Sequence, residues 1–195
     1  MAKAAATRSM IIQKAFDLIY ERGYQATSID EIIATTQVTK GAFFYHFKNK
    51  EEMGLAVINE IMYPNMLPLL GDSLSKPGDI RPRIYEMMKA LLSNHQFFKV
   101  EFGCPVVNLI EEMASLNARF HQALTRVIMA WQTELENAIR GAQDQQQLTQ
   151  EHNAENIASY VISGYGGARY MGKIFGRSSY SAFLQEFKKY LDNLN

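Results

Sequence analysis

Residues Thr27 to Met53 read TSIDEIIATTQVTKGAFFYHFKNKEEM, and this stretch decides how the chain is organised. Ser28-Ile29-Asp30-Glu31 has the S-x-x-E form of a capping box, in which the serine side chain accepts from the third helical amide and the glutamate reaches back to the serine amide. The helix it opens is short, running to about Thr35. After Thr36-Gln37-Val38, Thr39 offers a second N-cap for a helix carrying Lys40 to Phe47. Two short helices joined by a turn of about four residues make a helix-turn-helix unit, whose second helix suits the DNA major groove.

With Ile29, Ile32, Ile33, Val38, Phe43 and Phe47 turned inward, Gln37, Thr39, Lys40, Gly41, Ala42, Tyr45 and His46 fall on the outer side. Lys40 suits a guanine edge or a phosphate, Gln37 an adenine edge, and Ala42 a thymine methyl. Gly41 lets a backbone come close. Tyr45, His46 and Lys50 suit phosphate oxygens, which fix register without carrying sequence information. Thr27 and Ser28 stand at the start of the preceding helix, where unpaired amides and the helix dipole favour a phosphate.

Outward from this unit, apolar residues recur at helical spacing nearly everywhere, so the chain is expected to be all-α, with about nine helices. Ile11, Ile12, Ala15, Phe16 and Ile19 form one face of a first helix that Gly23 ends. From Lys50 a helix runs to Tyr63, where Pro64, Pro68 and Gly71 are expected to interrupt it. GDSLSKPGDIRP, residues 71–82, reads as loop. A helix from Pro82 to about Gln96, a short one through VVNLIEEM and a long one from Asn117 to about Gln143 follow, the last with Phe120, Leu124, Val127, Trp131, Leu135 and Ala138 on one face. Ile157, Val161, Gly164, Ala168, Met171 and Phe175 then repeat at spacings of three and four, like a packing seam, and the final helix offers Phe183, Phe187, Tyr190 and Leu194. The expected division is a reading domain over 1–50 and a larger helical domain over 51–195.

The totals exclude several classes. The 195 residues are 47% hydrophobic, enough for a sizeable core. Twenty Lys plus Arg balance twenty Asp plus Glu, yet residues 1–50 hold seven basic against four acidic residues, a surplus of +3 at the end that carries the helix-turn-helix. Cys104 is the single cysteine, so no intrachain disulfide forms, and a reducing, cytoplasmic setting is expected. No run reaches the roughly 20 apolar residues of a membrane helix, and Gln13, Lys14 and Asp17 interrupt any signal-like start. His46, His95, His121 and His152 are scattered without metal-ligand spacing, so no metal is expected. Gly167 to Lys173 has P-loop spacing, but Ile174 replaces the Ser or Thr that holds magnesium and no strand precedes it, which leaves helix packing. Glu111 and Glu112 read as a solvated face. No nucleophile motif organises the Ser, His and Asp residues, so neither catalytic residues nor a cofactor are expected.

The stretch YERGYQATSIDEIIATTQVTKGAFFYHFKNKEEM resembles the DNA-binding region of the TetR family of bacterial transcriptional repressors, densely across Ala15 to Leu55. Gln37 departs from the small residues usual in the turn, and Phe44 stands where members often have tyrosine, which leaves Tyr45 to take the phosphate bond. The resemblance implies an all-helical homodimer on double-stranded operator DNA, a C-terminal domain that binds a small-molecule effector, and a dimer interface from the last two helices. It thereby assigns Ile157, Val161, Gly164, Ala168, Met171, Phe175, Phe183, Phe187 and Tyr190 to that interface. Phe97, Phe98, Phe102, Trp131 and Tyr165 are candidates to line an apolar effector pocket, with Asn108, His121 and Arg169 supplying polarity. Cys104, near a helix start, is either a thiol sensor of electrophiles or oxidants or a packing residue. The rival reading is an all-α small-molecule-binding protein or enzyme in which Cys104 does the chemistry.

Overall fold

Short polar side chains at the helix starts set the architecture. The computed structural model describes residues 2–194, with side chains for all of these but residues 2, 3 and 70, and it is helical throughout, with no strand among the described residues. α1 (Ala2–Arg22) stops at Gly23, whose φ of +94° only glycine adopts cheaply and whose amide donates to the Ile19 carbonyl at 2.8 Å. α2 (Ile29–Thr36) opens on the full capping box. Ser28 Oγ accepts from the Glu31 amide at 3.2 Å, and the Glu31 carboxylate accepts from the Ser28 amide at 2.8 Å. Thr39 caps α3 (Lys40–His46), accepting from the Ala42 amide at 3.2 Å, and Asn49 caps α4 (Lys50–Val57), accepting from Glu52 at 2.8 Å. Each such cap contributes about 0.5–2 kcal/mol.

The prolines do not interrupt the fourth helix as expected. α4 passes into a π turn (Ile58–Met62) and on without a break into α5 (Tyr63–Leu74), with Pro64 in its first turn and Pro68 inside it. Ahead of the first proline the run stays bonded through the wide turn, where Tyr63 donates to the carbonyl of Ile58, five residues back; Pro68 removes the ordinary donor to the Pro64 carbonyl, and α5 continues past it. The loop over 71–82 shrinks accordingly, because α5 takes its start and α6 (Ile80–Ser93), capped by Asp79, takes its end. α7 (Pro105–Met113), α8 (Ala118–Asp144), α9 (Ala154–Phe175) and α10 (Ser178–Asp192) complete the chain. With α4, the π turn and α5 as one run, the described residues form nine helical rods.

By their internal contacts these helices fall into two compact units, which do not coincide with a cut at residue 50. The first holds the chain up to Pro64 together with Pro105–Thr125. Its core joins the expected α1 face, Ile11, Ile12, Ala15, Phe16 and Ile19, to Ile32, Phe43, Phe47, Met53 and Val57, all buried. α7 and the start of α8 belong here because their side chains complete the turn after α1. Glu112 accepts from the amides of Tyr24 at 2.8 Å and Gln25 at 2.6 Å, so it is a half-buried bracket and not the solvated face expected of it. The Phe120 ring meets Tyr24 at 4.8 Å, over Gly54, where an added Cβ would come within 2.7 Å of both rings. Asn117 and Arg119 bind the Glu51 carboxylate at 2.8 and 2.6 Å.

The second unit holds Asn65–Cys104 and the chain from Arg126 onward. Ile84, Met87 and Leu91 of α6, Leu135 and Ile139 of α8, Val161 of α9 and Leu191 of α10 are buried in its core. The expected face of α8 is buried at Val127, Trp131 and Leu135 and half-buried at Ala138, with Ile139 fully inside.

Candidate nucleic-acid interface and buried polar cluster

The turn between α2 and α3 forms because α2 ends in a left-handed residue and α3 begins at once on its own cap. Gln37 is that residue, with φ +56°. A non-glycine side chain there costs roughly 1 kcal/mol or more. Ile32, Phe43 and Phe47 are buried beneath the two helices, while Ile29, Ile33 and Val38 are only half-buried. The outer side then carries Ser28, Gln37, Thr39, Lys40, Gly41 and Tyr45, all exposed, with Ala42 and His46 half-buried. Tyr45 is 79% exposed, its ring edge-on to His46 at 5.0 Å. Around Gly41 an added Cβ would meet nothing within 4 Å.

Two of the expected contact residues are turned elsewhere. Thr27 is 1% exposed and its hydroxyl donates to the Gly23 carbonyl at 2.8 Å, so its side chain closes the turn after α1 and does not face outward. Lys50 folds back over the Tyr24 ring at 4.4 Å and donates to the Gln25 carbonyl at 3.2 Å. Burial lowers the pKa of its ammonium, with Glu112 and Glu31 working the other way. Lys40 pairs with Asp30 at 3.0 Å, both side chains largely exposed, a contact worth about 0–1 kcal/mol that a stronger anion displaces. Phe44, 44% exposed, lies alongside, as does Lys48, exposed on the turn before α4, to which the sequence reading gave no DNA contact. The signal for Lys48 was its charge between two buried-face phenylalanines and the Asn49 cap.

Of the residues considered for an effector pocket, Phe98, Cys104, Trp131, Tyr165 and Arg169 are buried in the second unit. The Trp131 and Phe98 rings stand edge-on to Tyr165 at 4.9 and 6.5 Å, and the Arg169 guanidinium lies 4.2 Å over Phe98. Phe97 packs edge-on to Phe98 at 4.9 Å, and Phe102, half-buried, sits under the Lys99 ammonium. Asn108 and His121 belong to the first unit, half-buried and exposed respectively. Tyr180 and the Leu91 carbonyl join the buried cluster, both bonded to Arg169. No local pattern announces them, since they come from two other helices.

The seam expected to face a second chain is largely covered by this one. Ile157, Val161, Ala168 and Phe187 are buried within the unit. Gly164 and Gly172 leave room for α10, since an added Cβ would meet Phe183 at 3.1 Å and Tyr180 at 2.4 Å. Periodicity reports that a face is apolar and not which neighbour covers it. Met171 and Phe175 remain exposed, with Tyr160, Tyr170 and Ile174 beside them on α9, while Phe183 and Tyr190 are half-buried. Gly167 to Lys173 lies wholly inside α9. Among the described residues no helix is long and apolar enough to cross a membrane, and no group of three or more His, Cys, Asp or Glu is placed to hold a metal.

Comparison with known proteins gives this geometry a context. Residues 11–57 match the family described as "Bacterial regulatory proteins, tetR family", and residues 81–186 match "Tetracyclin repressor-like, C-terminal domain". The chain is 30% identical over 176 residues to the transcriptional regulator AcuR of Cereibacter sphaeroides, covering 88% of this chain and 78% of that protein. It is 34% identical over 149 residues to an uncharacterised HTH-type transcriptional regulator from the lacX 3' region of Lactococcus lactis, covering 75% and 76%. The crystal structure of the regulatory protein TetR from Rhodobacter sphaeroides superposes with a TM-score of 0.79 at 26% identity, covering 93% of this chain and 97% of that one. With the capped helix-turn-helix in one matched segment and the helical C-terminal domain in the other, this chain belongs to the TetR family of DNA-binding transcriptional regulators.

Proposed function

We propose that this protein is a homodimeric repressor that places one α3 helix from each subunit in successive major grooves of a roughly palindromic operator and leaves the DNA when a small effector binds. Residues 1–50 read DNA and residues 51–195 serve effector binding and dimerisation. Lys40, Gly41, Ala42 and Gln37 face base edges, whereas Ser28, Thr39, Tyr45, His46 and Lys48 hold phosphates. Lys50 takes a phosphate only after leaving Tyr24. The two reading helices stand one helical turn apart, about 34–36 Å. The exposed apolar side of α9, at Tyr170, Met171, Ile174 and Phe175, meets the second subunit. The protein acts in the cytoplasm and has no catalytic role.

One observation carries the DNA-reading assignment. Gln37 occupies a left-handed position that glycine fills at lower cost, and four residues on Gly41 occupies an exposed helical position that alanine fills at lower cost. Both local rules fail on the same outer side, and such failures are expected where a surface is shaped for something outside the chain. Effector coupling of about 1–3 kcal/mol suffices for release. Cys104 is 1% exposed beside Tyr165, and a buried thiol of this kind is inert toward reagents in solution, which favours its packing role over electrophile sensing.

The test is selection of duplexes from a random pool followed by fluorescence-anisotropy titration at fixed physiological salt. A preference for the selected duplex of about a thousandfold or more over a scrambled one supports the reading. Equal weak binding of every duplex sinks it. Lys40→Ala then loses about 1–3 kcal/mol on the selected duplex and little on the scrambled one if Lys40 reads a base.

A further inference from the structure

Arg169 is the charged side chain that the fold of the second unit encloses most completely, at 1% exposure, and its partners there are all neutral. Nε donates to the Tyr165 hydroxyl at 3.3 Å, Nη1 to the Tyr180 hydroxyl at 3.3 Å, and Nη2 to the Leu91 carbonyl. The Phe98, Tyr165 and Tyr180 rings surround the guanidinium, with centroids 4.2, 5.4 and 5.5 Å away. Among the described residues no Asp or Glu forms an ion pair with it.

Part of the missing negative charge comes from the fold. α6 ends at Ser93, so the Leu91 carbonyl is among the last four of that helix, which lack an intrahelical donor and carry the negative end of the dipole. That is roughly half a charge, and the ring faces add a weaker attraction. Balance is therefore incomplete. The donor count points the same way. Three of the five guanidinium N–H groups are used, and the buried Trp131 Nε1, on a ring 4.9 Å from that of Tyr165, has no acceptor. A buried polar group without a partner is destabilising, so a surplus of donors around a buried cation is an arrangement that an acceptor-only group completes.

We infer that this cluster binds the effector and that the effector is a small organic carboxylate, its two oxygens on the Arg169 guanidinium and its apolar body among Phe98, Trp131 and Tyr165. This deepens the proposed function and rests on its reading of residues 51–195, which include the second unit, as the effector-binding part. The guanidinium fork matches a planar carboxylate. A phosphate fits worse, because the cluster holds no second cation for its second charge and its walls are aromatic. The cluster is closed here, with Phe98, Cys104, Trp131 and Tyr165 all at or below 1% exposure. A carboxylate thus competes with the Leu91 carbonyl and the Tyr180 hydroxyl for Arg169, and in winning it unties α9 from the end of α6 and from α10.

Trp131 is the only tryptophan in the chain, so its emission reports this site and nothing else. The full-length protein is titrated with butyrate and benzoate, and with butyramide and benzamide as neutral counterparts, with emission excited at the red edge of the tryptophan band. The expected result is a saturable change with an acid, none with its amide, and affinity weakened by about tenfold or more in Arg169→Gln, consistent with loss of a charge-assisted contact. Acid and amide acting alike overturns the inference. So does an unchanged emission with both acids, or an Arg169→Gln protein that responds as the unaltered one does. The acid-against-amide comparison needs no variant, so a misfolded Arg169→Gln leaves the test intact. Operator binding is measured separately: a protein that binds operator but whose Trp131 ignores both acids loses this inference alone, whereas one that binds no duplex loses the regulator reading.

Discussion

Gly41 and Gly172 are both glycines inside helices, and they lack a side chain for opposite reasons. At Gly172 of α9 an added Cβ would sit 2.4 Å from Tyr180, so the chain itself fills the space. At Gly41 of α3 nothing lies within 4 Å, which leaves room for the close approach proposed there. The same contrast separates Tyr165, fully buried beside Trp131, from Tyr45, 79% exposed. A residue type that violates helix propensity is therefore informative only once its neighbours are known: an occupied gap speaks of the fold, whereas an open one, found also at Gly141, Gly166 and Gly167, gains meaning only from the residues around it.

The strongest test of this contrast is on α3 itself. Phe43→Ala is expected to cost about 3–5 kcal/mol in chemical denaturation, because the ring is wholly buried. The neighbouring Phe44→Ala, at a side chain 44% exposed, should change stability by no more than about 0.5 kcal/mol. Similar losses at both positions break the assignment of inner and outer sides. Next in size, Gly172→Ala should destabilise by overpacking against Tyr180, about 1–3 kcal/mol less a helix-propensity gain near 1 kcal/mol. A more stable Gly172→Ala protein would mean that Tyr180 moves aside freely and that its tie to Arg169 is weak.

Glu112→Ala removes the acceptor of the Tyr24 and Gln25 amides. A loss of about 1–3 kcal/mol is expected, toward the lower end because the Gln25 amide reaches water, with Glu112→Gln losing less. Thermal melts of the three proteins that coincide would return Glu112 to a solvated face. Smaller, and opposite in sign, are the outward positions: Gly41→Ala and Gln37→Gly should each gain up to about 1 kcal/mol in stability while weakening operator binding. Stability and affinity rising together at either site would show that the outer side is not shaped by DNA. Smallest is Asp30→Asn, with a stability change within about 1 kcal/mol and tighter operator binding as Lys40 is released. An unchanged anisotropy midpoint would remove Lys40 from the set of contacts that DNA must draw away from Asp30.

Local chemistry was readable wherever cause and effect lie within one helical turn. Ser28 with Glu31, Thr39 with Ala42 and the left-handed Gly23 each act over at most four residues, and their helices begin and end as the sequence suggested. Pro64 and Pro68 misled because an end at proline is only the usual outcome: the run widens at Ile58–Met62 ahead of Pro64 and then continues past both prolines. Thr27 misled because its position at a helix start says nothing of the Gly23 carbonyl that draws it inward. For the α9 seam, spacing identified an apolar face correctly, while α10 claimed much of it through Phe183 and Tyr180.

What the sequence determined by itself is the all-helical plan, the capped helix-turn-helix and the membership that goes with it, since capping, periodicity and glycine conformation are properties of neighbouring residues. What only the tertiary structure decided is which gaps are filled: that Glu112 brackets a turn 88 residues away, that Arg169 is enclosed by two tyrosines and the end of α6, and that Gly41 faces nothing. Those facts depend on pairs of side chains that meet only after folding, and the strength of a buried charge or an open surface is set by what surrounds it.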